Sequence, residues 1–124
     1  MKLKELIWIG SSKKDLMGFP EDVISAMGYS LYLAQSGEKH KSVKPLKGFG
    51  GADVLEIVDE SVSGTYRGVY TTKYKDMVFV LHAFQKKSKQ GIKTPKSEID
   101  LIDNRLKQAQ DVYKDIMDKR VKKS

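Results

Sequence analysis

The sequence contains no cysteine. This absence excludes a disulfide scaffold, a thiolate zinc site, an iron–sulfur cluster and a cysteine nucleophile. Long apolar runs are also missing, and the early run at residues 6–9 is far too short for a signal-peptide core or a membrane span. No set of histidine and carboxylate residues has the spacing of metal ligands, so we expect neither a metal nor another cofactor. The sequence therefore predicts a soluble, cytoplasmic protein that does not bind a membrane.

Positive charge is what the chain has in excess. Its 124 residues include 23 Lys and Arg against 16 Asp and Glu, a formal net charge of +7. Segments 39–48 and 84–91 contain four and three lysines, respectively, and no acid. Two such segments on a near-neutral body predict a polyanionic partner, most simply nucleic acid. The alternative is that these lysines are only solvated surface.

The hydrophobic pattern predicts a single domain over residues 1–124, with a C-terminal tail that frays from about residue 118. We expect strands at 6–9, 54–58, 65–72 and 77–84, because these runs are short, apolar and rich in β-branched or aromatic residues. Apolar residues at three- and four-residue steps predict helices at 20–36 and from residue 95 onward. The fold class is then α+β, a small antiparallel or mixed sheet with helices packed on one face and a C-terminal helix.

Arg67 is the first candidate functional residue, because it interrupts an apolar and aromatic strand. Strand alternation places Arg67 and Val69 on one face, with Tyr70 on the other face and expected in the core. The arginine is either the cross-strand ion-pair partner of Glu56 or a positioned phosphate binder. The basic exit of the neighbouring strand at Lys86 favours the second interpretation.

Four motifs, taken in order, resemble a known family. They are PLKG at 45–48, VLEI at 54–57, YRGVY at 66–70 and LHAFQKKS at 81–88. The series resembles the RelE/ParE superfamily of type II toxins, and within it the phage-derived HigB-like group, over roughly residues 18–110. One position departs from the pattern: many relatives carry an arginine two residues after the glutamate, where this chain has Val58.

The resemblance implies an endoribonuclease that cleaves mRNA on the translating ribosome without a metal. It also implies a cognate antitoxin, commonly a HigA-like helix-turn-helix protein. The expected catalytic residues are Arg67 to clamp the scissile phosphate, Lys86 or Lys87 to stabilise charge or move a proton, and His82 as a candidate general base. Further lysines are expected to bind RNA: Lys44, Lys47, Lys73 and Lys89.

Four alternatives remain open from the sequence. The chain can be a ParE-like toxin that inhibits gyrase, or a basic RNA-binding module without catalysis. His82 can be a hydrogen-bonded structural residue. The apolar stripe of residues 99–116 either packs inside the domain, as we expect, or contributes its edge to the antitoxin interface.

Overall fold

The computed structural model describes residues 2–51, 53–86 and 94–123. In chain order the elements are β1 (Glu5–Trp8), α1 (Ser12–Met17), α2 (Glu21–Gln35), β2 (Val43–Pro45), β3 (Val54–Ser61), β4 (Gly64–Thr71), β5 (Met77–Lys86) and α3 (Lys96–Lys123). None of these helices combines the length and the apolarity that crossing a bilayer requires.

The five strands form one sheet in the order β1-β5-β4-β3-β2. β1 runs parallel to β5, and every other neighbouring pair is antiparallel. The α+β class, the mixed sheet and the meander of β3, β4 and β5 are thus confirmed. The elements α1 and β2 were not predicted, since six and three residues are too few to show a hydrophobic period.

The two long helices lie on opposite faces of the sheet. Buried residues of α2, among them Met27, share a hydrophobic cluster with Tyr70 and Val80. Buried residues of α3, among them Ile102, share a separate cluster with Phe79. This placement of α3 differs from the expectation that the helices share one face. The physical reason is β5, which is apolar at every position from 77 to 81 and therefore needs an apolar layer on both sides.

A β-bulge sets the direction of the side chains in the second half of β5. Val69 pairs with His82, whereas the next residue of β4, Tyr70, pairs with Val80. Leu81 is therefore an extra residue on β5, and the alternation of faces restarts after it. As a result His82 lies on the same face as Val69, under α3.

The apolar stripe of α3 packs inside the domain, as the sequence predicts. Ile102 and Ala109 are fully buried, and partly buried residues such as Leu106 and Tyr113 pack on the same cluster. The helix is 28 residues long, which corresponds to about 42 Å. It continues to Lys123, through the segment where the sequence predicts fraying.

Candidate functional site

Arg67 and Glu56 form a buried ion pair between β4 and β3. Val58 lies opposite Arg67, and Glu56 lies opposite Val69, so the two charged side chains are diagonal neighbours on the α3 side of the sheet. Arg67 Nη1 donates a hydrogen bond to Glu56 Oε2 at 2.7 Å. Both residues are only 4% exposed. The cross-strand ion pair, one of the two interpretations of Arg67 from the sequence, is therefore confirmed, as is the position of Tyr70 in the opposite core.

Two lysines lie beside this pair. Lys44 of β2 pairs with Glu56 in the sheet register, and its Nζ is 3.7 Å from Glu56 Oε1. Lys86 lies at the end of β5, on the same face, opposite Thr65. The pKa of Lys86 is lowered, first by partial loss of solvation and then by the positive charge of Arg67. We call Lys44, Glu56, Arg67 and Lys86 the charged cluster.

The charged cluster has one buried donor for which the described residues supply no acceptor. Arg67 Nε is buried and has no hydrogen-bond partner among the described residues. A buried N–H without a partner is unfavourable by roughly 1–3 kcal/mol, so it favours any ligand that supplies an acceptor oxygen. The cluster also holds three cations and one carboxylate. Its chemistry suits a bound anion, and a guanidinium can contact two oxygens of one phosphate.

His82 lies on the same face but is engaged with α3. Its Nε2 is hydrogen-bonded to Glu98 Oε2, and its Nδ1 is 3.4 Å from Arg105 Nη1. Because a guanidinium only donates, the ring proton belongs on Nε2, where it is donated to Glu98. Burial lowers the pKa of His82, and the Arg105 charge lowers it further, while Glu98 opposes both effects. The ring also stacks on Phe84 at a centroid distance of 4.9 Å.

Of the other predicted cations, Lys47 and Lys73 lie outside the charged cluster. Lys47 is exposed and follows Leu46, whose backbone N–H donates to the carbonyl oxygen of Val54. It lies up to about 10 Å along the chain from Lys44. Lys73 follows the end of β4 at Thr71, and Thr71 is about 13 Å along the strand from Arg67. The Nζ of Lys73 is 5.7 Å from the centroid of the Tyr74 ring. Lys87 and Lys89 lie outside the described residues.

Three residues around His82 were missed from the sequence: Ser11, Glu98 and Arg105. Arg105 is the one with a readable signal, because it stands three residues after Ile102 and four before Ala109, in the middle of the apolar stripe of α3. An arginine at such a position must satisfy its donors inside the protein. Nothing in the sequence marks Ser11 or Glu98 in the same way.

Two clefts formed by the described residues have no residue of the charged cluster in their lining. A cleft of about 530 Å³ is lined by Lys2, Leu3, Lys4, Glu5, Asp76 and Arg120, at the other end of the sheet. A second cleft of about 230 Å³ lies in the β2–β3 connection. In the described ranges, no three His, Cys, Asp or Glu side chains are grouped in a way that could hold a metal ion.

Comparison with protein families gives a match over residues 14–107 to the family described as phage derived protein Gp49-like (DUF891). The chain belongs to this family. The matched range includes all four residues of the charged cluster, and the match confirms that the family is a phage-derived one, as the sequence predicts.

Among solved structures, the chain is similar to the RelBE2 toxin–antitoxin complex from Mycobacterium tuberculosis. The sequences are 18% identical, the match covers 71% of this chain and 97% of that chain, and the TM-score is 0.48. A comparison with curated proteins gives no match.

Proposed function

We propose that this protein is the toxin of a type II toxin–antitoxin system and that it cleaves mRNA on the translating ribosome. The observation that carries the proposal is the charged cluster. It combines three cations and one carboxylate on one face of the sheet, in a chain that belongs to the Gp49-like family. A site of this kind suits a phosphodiester whose charge increases in the transition state.

The proposed reaction uses the RNA as its own nucleophile. The 2′-hydroxyl attacks the adjacent phosphorus, a bond forms between the 2′-oxygen and phosphorus, and the bond to the 5′-oxygen breaks. The products are a 2′,3′-cyclic phosphate and a 5′-hydroxyl. The protein then has three tasks: to align the nucleotide, to neutralise the phosphoryl oxygens, and to transfer one proton away from the 2′-oxygen and one to the 5′-oxygen.

Arg67 is assigned to the phosphoryl oxygens. Glu56 fixes the guanidinium through Nη1 and leaves the Nε donor unsatisfied by the described residues. Because Arg67 is only 4% exposed, a phosphate reaches it only after neighbouring side chains shift. Lys44 is 52% exposed at its side chain, so it makes the first contact with the incoming strand.

Lys86 is assigned to the leaving group. A lysine whose pKa is lowered gives up its proton more readily, which suits protonation of the departing 5′-oxygen. Lys87, the next residue in the chain, is proposed as a second cation for the developing charge. We propose that His82 positions β5 against α3, since both ring nitrogens face partners on α3.

The proposed partners are mRNA on the ribosome and a cognate antitoxin of the HigA-like helix-turn-helix kind. The RNA strand is proposed to contact the lysines that the sequence marks: Lys44, Lys47, Lys73 and Lys89. Antitoxin binding is proposed to neutralise the toxin until the antitoxin is removed.

Inducible expression in bacteria tests the proposal. The wild-type chain is expected to arrest growth and to produce new mRNA 5′ ends within translated codons, mapped by primer extension. Lys86→Ala, at the end of a strand, is expected to remove the cuts and to keep the fold. Arg67→Ala is expected to remove them as well, with circular dichroism to check that this buried substitution folds. Arg120→Ala, an exposed arginine at the far end of α3, is the matched control and is expected to keep cutting.

Full cleavage by both Lys86→Ala and Arg67→Ala would contradict the assignment of the charged cluster. Growth arrest by the wild type without new 5′ ends would instead favour gyrase inhibition, which a supercoiling assay with purified protein detects. Salt-sensitive RNA binding without cleavage on translating ribosomes would leave a non-catalytic binding module.

A further inference from the structure

The outer face of α2 carries two exposed aromatic side chains. Tyr29 is 56% exposed and Tyr32 is 48% exposed, one helical turn apart. Their Cβ atoms are therefore about 5–6 Å apart on the same side of the helix. The exposed positions around them on α2, Ser25, Ala26 and Gly28, are small, so nothing on α2 shields the two rings.

The segment after α2 places a histidine against one of these rings, with a lysine on either side of it in the chain. The His40 ring meets Tyr29 edge-on, with a centroid distance of 5.8 Å and an interplanar angle of 84°. His40 is held in turn by Ser42, whose backbone N–H donates to His40 Nδ1 at 3.0 Å. Lys39 and Lys41, both exposed, immediately flank this anchored histidine.

This face is connected to the charged cluster by an uninterrupted basic strip. Residues 39–48 contain four lysines and no acid, with Glu38 as the adjoining acid. The strip passes through β2, which is the edge strand of the sheet, so no other strand separates the α2 side from the cluster side. Lys44, within the strip, already belongs to the charged cluster.

We infer that Tyr29, Tyr32, Lys39 and Lys41 form a subsite for single-stranded RNA. Bases stack on the two tyrosine rings, and the phosphates between them contact the two lysines. The inference rests on the proposed function: the RNA held here is the part of the mRNA strand that continues past the nucleotide at the charged cluster.

The chemistry of the face favours RNA over a protein partner. Exposed aromatic rings beside lysines are the combination that binds single strands, because every base has a face that stacks and every phosphate carries charge. A protein helix would need large apolar neighbours around the tyrosines, whereas the exposed residues of α2 beside them are a serine, an alanine and a glycine, and the following segment adds cations.

The test measures binding of a fluorescein-labelled, 12-nucleotide single-stranded RNA by fluorescence anisotropy. Each variant is made in the full chain carrying Lys86→Ala, without ribosomes, so that neither toxicity nor cleavage interferes. Replacing both tyrosines by Ala is expected to weaken RNA binding by about fivefold or more. Replacing both by Phe is expected to keep the affinity, because stacking needs the ring and not the hydroxyl.

A lysine pair tests the phosphate contacts. The Lys39→Ala/Lys41→Ala chain is expected to bind more weakly and to lower the slope of log K against log salt by about 1.4, for two lost phosphate contacts on a single strand. Lys13→Ala/Lys14→Ala, an exposed pair on α1, is the matched control for charge. Binding of inorganic polyphosphate separates the stacking of bases from the phosphate contacts. The tyrosine variants should bind polyphosphate with the same affinity as the parent chain.

An unchanged RNA affinity in the tyrosine-to-Ala chain would overturn the inference. So would a chain that binds RNA normally and loses only its cognate antitoxin, because the face would then belong to a protein partner. The outcome is separate from the proposed nuclease activity. If the tyrosine-to-Ala chain loses RNA binding while the wild-type chain produces no new mRNA 5′ ends, the subsite is kept and the nuclease is rejected. If the wild-type chain produces new 5′ ends while the tyrosine-to-Ala chain binds RNA unchanged, the nuclease is kept and the subsite is rejected.

Discussion

Arg105 Nη2 donates a hydrogen bond to Ser11 Oγ at 2.9 Å, although the two residues are 94 positions apart in the chain. The same guanidinium donates through Nη1 to the carbonyl oxygen of Leu81, the extra residue of the β5 bulge, at 2.9 Å. One side chain therefore joins α3 to β5 and to the start of α1. Gly10 makes room for it: at φ +57, a Cβ there would be 2.9 Å from Arg105 Nε.

Arg105→Ala is expected to reduce the free energy of unfolding by about 2–3 kcal/mol. The substitution leaves a buried carbonyl oxygen without its charged donor and opens a gap between α3 and the sheet. Urea unfolding followed by circular dichroism measures the change. Arg120→Ala, whose side chain is half exposed, should change stability by no more than about 0.5 kcal/mol. Equal losses in the two variants would contradict the role given to Arg105.

Stability should also depend on pH through His82. Its pKa is lowered in the folded protein, so the unfolded chain binds more protons once the pH falls below the ordinary value of 6.5. The contribution of neutral His82 to the free energy of unfolding is therefore fully present above pH 6.5. It is lost as the pH falls through 6.5 toward the lower pKa of the folded protein. Urea unfolding at a series of pH values between 7.5 and 5.5 measures the slope.

His82→Gln is the comparison for that slope. The glutamine keeps a side chain that can hydrogen-bond Glu98 but cannot take up a proton. The His82→Gln chain should show a weaker decline in stability over the same pH range than the wild type. Identical declines would mean that His82 does not titrate differently in the folded and unfolded states.

Removing Glu56 should reduce the free energy of unfolding far more than removing Lys44, the exposed cation beside the buried pair. Glu56→Ala leaves a guanidinium buried without its carboxylate, and we expect a loss of about 3–5 kcal/mol. Lys44→Ala removes the second, more exposed cation at 3.7 Å, and we expect a loss below about 1 kcal/mol.

A double substitution decides whether the pair contributes to stability at all. Glu56→Leu with Arg67→Met replaces both charges by apolar groups of similar size and should recover most of the loss caused by Glu56→Ala. Such a chain would be folded and, under the proposed function, inactive. If it is as unstable as Glu56→Ala alone, the ion pair is needed for the fold itself.

The parts of the fold that the sequence predicted are those with a hydrophobic period. The apolar stripe predicted the helix α3, and the alternation of residues predicted the strand β4. The same alternation predicted that Arg67 and Tyr70 lie on opposite faces of the sheet. The face of α3 was missed because helical period shows which residues are buried and not which side of the sheet they cover. The uninterrupted apolar run at 77–81 is the signal that both faces of β5 are covered.

The Arg67–Glu56 pair could be predicted because it needs only two neighbouring strands joined by a tight turn. The environment of His82 could not, because it depends on the bulge at Leu81 and on the register between β5 and α3. A bulge adds one residue without any fixed sequence pattern, and it reverses the face of every residue after it. Counting along the strand from 77 would have placed His82 on the α2 side.

Lys86 gives the most direct test of the electrostatics of the charged cluster. Its pKa is lowered from the ordinary lysine value of 10.5, so labelling with trace acetic anhydride, followed by mass spectrometry, should give a titration midpoint below 10.5. The midpoint is used because it does not depend on how accessible the amine is.

Two variants should then shift the titration midpoint of Lys86 in opposite directions. Lys44→Ala removes a neighbouring cation and should raise the midpoint, whereas Glu56→Gln removes the carboxylate and should lower it further. A midpoint at or above 10.5 in the wild type would mean that Lys86 is an ordinary surface lysine and would remove it from proton transfer in the proposed reaction.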